Sequence, residues 1–144
     1  MLSTRAAAGL SSLVFVAFCV TTPTLAQQKR KSGNEQMKLS AVANQEIELR
    51  SALSLDRNCD SYDMPRIAII RAPKNGTVTE EFRERYSNFG PNNPRKICND
   101  KKSKATYALY RATSGFQGVD RFTFAIVYYD GKTDVYDVEM TVWR

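Results

Sequence analysis

Residues Gly115 to Val142 read GFQGVDRFTFAIVYYDGKTDVYDVEMTV, and this stretch decides the fold. Phe122, Phe124, Ile126 and Tyr128 fall on every second residue, with Thr123, Ala125, Val127 and Tyr129 between them. That is strand periodicity in aromatic and β-branched residues, with two rather apolar faces. The return run alternates more cleanly: Tyr136, Val138, Met140 and Val142 point one way, Asp137, Glu139 and Thr141 the other. One face of that strand is buried and one is wet. Asp130-Gly131 between the two runs tolerates the positive φ angles of a tight hairpin turn. Gly115 and Gly118 bracket Phe116 in a second turn, where the glycines open backbone angles closed to other residues and Phe116 can reach the core. Phe122, Phe124, Ile126, Val138 and Met140 are the expected centre of that core.

The same periodicity runs upstream. Lys38–Val42 is a short strand. Gln45–Leu55 is a half-buried strand, with Ile47, Leu49, Leu53 and Leu55 on one side and Glu46, Glu48 and Arg50 on the other. Its composition also suits a helix over 43–53, but the period of two favours the strand. Asp56–Met64 is a loop holding Cys59. Arg66–Arg71 is a strand rich in isoleucine. Pro73–Gly76 is a turn and Thr77–Thr79 resumes the strand. Glu80–Tyr86 reads as a strand end or one helical turn, and Asn88–Pro94 as a loop. Ala105–Tyr110 is again a strand. Seven short strands joined by turn signals predict an all-β sandwich.

The pattern resembles the bacterial immunoglobulin-like and cadherin-like secreted repeats. The resemblance rests on Pro73, Gly76, Thr77 and Val78, then Tyr107 and Tyr110, then Gly115, Phe116, Gly118, Asp120, Phe122 and Phe124. Asp130-Gly131 and the closing Thr141-Val142 complete it. It implies an immunoglobulin-like antiparallel β-sandwich of about seven strands, filling residues 37–144. It implies no shared active site, because the motif positions are turn and core positions.

Residues 1–26 have the organisation of a secretory signal peptide: Arg5, an apolar Leu10–Val20, then Thr24-Leu25-Ala26 as the cleavage site. The apolar run is shorter than the roughly 20 residues of a membrane span, and no other stretch of the chain could serve as one. Cleavage near Ala26 places the chain in the periplasm or outside the cell. Gln27–Gln36 is a polar, flexible leader. Removal of Arg5 takes the net charge from +6 to +5. Cys19 leaves with the signal, so Cys59 and Cys98 remain as an even pair in an exported chain, which predicts a disulfide.

The chain has no histidine, which excludes histidine-dependent triads and the usual zinc sites. No cofactor is expected. Glu80-Glu81 and the trio Asp130, Asp134 and Asp137 are carboxylates in proximity, the latter a conceivable calcium set, but both read first as solvated surface; no catalytic or metal residue is expected. The segment from Arg95 to Lys104 holds Arg95, Lys96, Lys101, Lys102 and Lys104 against Asp100 alone. On a loop after Pro94 it is the candidate binding element, suited to anionic envelope polymers, lipid headgroups or an envelope protein. Nucleic acid is not expected: export argues against it, and Tyr86 and Phe89 are too sparse for a stacking platform. The expectation is a non-enzymatic exported module with a binding or structural role in the cell envelope. The alternative is a small periplasmic hydrolase or the inhibitor of an envelope enzyme.

Overall fold

The computed structural model describes residues 34–144; the expected signal peptide and all but the end of the expected leader lie outside them. Seven strands form two sheets: β1 (Glu35–Val42), β2 (Glu46–Ala52), β3 (Arg66–Arg71), β4 (Gly76–Tyr86), β5 (Lys102–Ala112), β6 (Gly118–Val127) and β7 (Thr133–Trp143). One sheet has the order β1-β7-β6-β3 and the other β2-β5-β4. The chain is thus an all-β sandwich, as its periodicity predicts. Glu35 and Gln36 belong to β1 rather than to the leader, because Gln36 donates to the Asp137 carboxylate at 3.0 Å and Glu35 pairs with Arg50.

One pairing departs from an antiparallel design. β1 runs parallel to β7, from Glu35 opposite Tyr136 to Val42 opposite Trp143, while all other strand pairs are antiparallel. After Val42 the chain turns sharply, with Asn44 at a φ of 66° and the Gln45 N–H donating to the Val42 carbonyl. The turn carries it into the opposite sheet, which leaves β1 beside the last strand.

Phe122, Phe124, Ile126, Val138 and Met140 are all buried, at 2 % exposure or less. Tyr110 stacks on Phe122 and Phe124 on Tyr136, with centroids 5.2 and 5.0 Å apart. The β6–β7 turn is longer than a two-residue hairpin. The Tyr128 N–H donates to the Lys132 carbonyl, and only Gly131, at a φ of 80°, is left-handed. That is a three-residue connection with glycine at its one left-handed position.

β2 corrects the simple alternation. A bulge between Glu48 and Arg50 puts Leu49 out of register, and a bulge reverses the faces of all that follows. Arg50 therefore lies opposite core-facing Ala108, with its guanidinium 5.3 Å from the Tyr136 ring and paired with Glu35. On the other open side, Glu80 of β4 accepts the Ile67 N–H of β3 at 2.6 Å and pairs with Arg66 at 2.9 Å. An Arg–Glu pair so closes each flank between the sheets.

The segment Glu80–Tyr86 is strand, with no helical turn. Its odd residues face the outer side of the second sheet. Arg83 bridges Glu46 and Glu81 at 3.0 and 2.7 Å, and Arg111 pairs with Glu46 at 3.4 Å. The Arg83 guanidinium lies over the Tyr107 ring at 5.6 Å. This charged layer, with Leu53, covers Ala105, Tyr107 and Leu109, which are buried on the outer face.

Pro73, Gly76, Tyr110 and Asp120 meet at the end of the sandwich where β4 and β6 start. Asp120 is 2 % exposed, and four donors converge on its carboxylate: the N–H groups of Lys74, Asn75 and Arg121 at 3.0, 2.8 and 3.0 Å, and the Tyr110 hydroxyl at 3.1 Å. Burial first, then the Asp120 charge, push the Tyr110 hydroxyl well above the ordinary phenol range, so it stays a donor. A Cβ on Gly76 would meet the Tyr110 ring at 2.5 Å. Proline turn, glycine, tyrosine and aspartate are therefore one cluster fastening the β3–β4 turn to β5 and β6.

Candidate functional site

At the opposite end three connections meet: residues 53–65 between β2 and β3, residues 87–101 between β4 and β5, and residues 128–132 between β6 and β7. The second contains a 3-10 helix, η1, over Pro94–Asp100. Cys59 and Cys98 are bonded, with Cα atoms 5.2 Å apart, so the first two connections are covalently joined. Tyr62 of the first meets Tyr129 of the third edge to face, with centroids at 5.2 Å.

Each connection is held by polar contacts that its sequence supplies. The Asp56 carboxylate accepts the N–H groups of Asn58 and Asp60 at 2.8 and 2.9 Å. That folds the chain around Cys59, whose φ of 67° is costly for a residue bearing a Cβ. Asn93 caps η1 by accepting the Arg95 N–H at 2.8 Å. Asn99 accepts from the Ser87 hydroxyl and the Phe89 N–H and donates to the Phe89 carbonyl. Leu55, Cys59 and Cys98 form a small core under the connections, with Leu53 and Phe89 packed against it. Composition alone marks Asn88–Pro94 as a loop; its organisation comes from Asn99, ten residues beyond Phe89.

The five basic candidates do not form one loop. Arg95, Lys96 and Lys101 lie in or beside η1, whereas Lys102 and Lys104 belong to β5, opposite Tyr86 and Glu84 of β4. β5 starts earlier than its apolar residues suggest, because its first residues pair with the polar end of β4. Arg95 donates to the Leu55 carbonyl, and Lys101 contacts Asp60 at 2.7 Å and the Asn58 carbonyl at 3.3 Å. These two fasten the first connection to the second. Lys102 lies over the Tyr86 ring at 5.5 Å. Lys96 and Lys104 are exposed.

Sequence reasoning missed the apolar and aromatic members of this end. Ile97 is 73 % exposed, more than any other large hydrophobic residue among those described, and Tyr129 is 63 % exposed. Their signal was adjacency: Ile97 sits directly after Lys96, and Tyr129 beside the hairpin turn. A hydrogen bond to Asp63 is the main cause that raises Tyr62 above its ordinary range. Burial foremost, with Asp134 next, pushes Tyr128 up to about 12. Both are neutral phenols at physiological pH.

Asp130 accepts the Lys132 N–H, Asp134 pairs with the Lys132 ammonium, and Asp137 accepts from Thr123, Asn34 and Gln36. The Thr123 hydrogen bond is the first of the causes that lower Asp137 below the usual carboxylate range. Among the described residues no group of three or more His, Cys, Asp and Glu is placed to hold a metal ion. No helix among them is long and apolar enough to cross a membrane.

Thiol titration of the denatured, unreduced protein should find neither Cys59 nor Cys98 free. Replacing both by serine should lower stability by about 2–5 kcal/mol, as for other disulfides in small domains. Two reactive thiols would show that the bond is not made. No family model, no curated protein and no solved structure matches the chain.

Proposed function

We propose that this protein is an exported, non-enzymatic immunoglobulin-like module that binds an anionic component or a protein of the cell envelope through the end of the sandwich carrying η1. The observation that carries this reading is the joining of three connections by a disulfide, an aromatic contact and the Arg95 and Lys101 contacts, with Lys96, Ile97, Tyr62 and Tyr129 left at the surface. Recognition commonly sits on loops held by a rigid scaffold. A surface already ordered before contact loses less entropy on binding. The strand grouping β3-β6-β7 against β2-β5-β4 supports the immunoglobulin-like part of the reading, and the amino-terminal pattern supports export.

The test is binding to isolated envelope material at low and at high salt. Exposed charges are screened beyond about 8 Å at physiological ionic strength, so binding should weaken as salt rises. A variant with Lys96, Lys102 and Lys104 changed to serine leaves Arg95 and Lys101, and thus the loop contacts, in place. It should bind more weakly than the parent at low salt. Equal binding by variant and parent would remove the basic residues from the function.

A further inference from the structure

We infer that η1 docks this protein on the surface of an anionic lipid membrane, with Ile97 entering the interface and Lys96 and Lys102 meeting headgroup phosphates. The inference rests on the reading that this end of the sandwich binds, and names what it binds. Two features occur together here. The segment from Arg95 to Lys104 holds five cations and Asp100 as its one acid. Within it Ile97 has 73 % of its surface in water, and Tyr86, opposite Lys102 in the β4–β5 pairing, has 52 %.

A soluble polyanion of sugars or phosphates would reward the cations and leave Ile97 in water. An anionic bilayer rewards both, through attraction at the headgroups and transfer of the aliphatic side chain into the interface. Tyr86 suits the same depth, because an amphipathic ring prefers the headgroup level. Lys102 holds its ammonium over that ring, 5.5 Å from the centroid, so cation and ring stand together at this surface. Lys101 is paired with Asp60 and Arg95 is turned onto the Leu55 carbonyl, which leaves Lys96 and Lys102 as the cations offered to the headgroups. The Cys98 bond and the Asn99 contacts hold η1 in place before contact, so docking requires no refolding. This is a peripheral contact, made by one side chain and a few charges, and therefore reversible and salt-sensitive.

The experiment is sedimentation of the purified protein with vesicles of phosphatidylcholine alone and of phosphatidylcholine mixed with phosphatidylglycerol. The parent is compared with Ile97→Ser, with Lys96→Ser/Lys102→Ser, and with Trp143→Ser. Trp143 is 60 % exposed at the end of β7, away from η1, and controls for loss of any exposed apolar residue. All four proteins share the same amino-terminal segment, so its contribution cancels. Partition into the phosphatidylglycerol vesicles should fall about tenfold in the Ile97 variant, the effect of withdrawing one aliphatic side chain from the interface. It should fall comparably in the lysine pair, and stay unchanged in Trp143→Ser. Failure of the parent to bind these vesicles overturns the inference. So does an Ile97 variant that binds as the parent does, or a Trp143 variant that weakens equally. In each case, continued lysine-dependent binding to envelope extract depleted of lipid would leave the broader binding function standing.

Discussion

Asp120→Ala should destabilise the protein by about 3–5 kcal/mol, the usual result of removing the acceptor from a buried charged cluster. Four donors lose their partner at once: the Lys74, Asn75 and Arg121 N–H groups and the Tyr110 hydroxyl. Asp120 is acceptor-only in this setting, since each of its oxygens receives two donors. Asp120→Asn keeps the shape but turns one oxygen into an NH2 group that must face donors. It should lie between the parent and the alanine variant. Urea unfolding of the three proteins measures the series. An alanine variant within about 1 kcal/mol of the parent would mean that the β3–β4 turn finds water when the carboxylate is gone, and that the cluster is not what fastens the turn.

Phe124→Ala should cost about as much, roughly 3–5 kcal/mol, by a different route. Phe124 is fully buried, stacked on Tyr136 and opposite Ile69 in the β3 pairing. Its truncation leaves a cavity between the sheets rather than unsatisfied donors. Phe82→Ala is the matched comparison. Phe82 is 51 % exposed on edge strand β4 and should cost under about 1 kcal/mol. Equal losses for the two aromatics would contradict the burial that separates them.

The hairpin and the centre of the core were legible because β7 alternates without interruption, so that burial on one face writes itself into a period of two, and because β6, buried on both faces, is a continuous apolar run with its large residues at every second position. Legibility failed at β2 for a local reason. The bulge at Leu49 shifts the register, so Arg50 changes face although the sequence alternates smoothly through it. It failed at Glu80–Tyr86 because the strand is charged on its outer side, where Arg83 and Glu81 cover Tyr107. No apolar period survives there to be read. The basic run from Arg95 to Lys104 was visible as composition, but its division was not. Arg95 and Lys101 bind groups near residue 58, some forty positions back along the chain, and no local pattern reports such a contact. The pairing of Cys59 with Cys98 needed no pattern, since Cys19 falls in the expected signal peptide and leaves no other partner.

The parallel pairing of β1 with β7 has a mechanical consequence. Glu35 opens one strand beside Tyr136, and Trp143 closes the other beside Val42. Tension applied through the two ends of this pair therefore runs along the strands. It loads the hydrogen bonds of the ladder together in shear, whereas a hairpin pulled at its open end unzips one bond at a time. Should that ladder yield, the chain between Cys59 and Cys98, a separation of 39 residues, still could not be drawn out. Roughly 140 Å of extensible contour, at about 3.6 Å per residue, stays locked behind the bridge. The chain is thus clamped twice against stretching, first by a row of hydrogen bonds and then by a covalent stop.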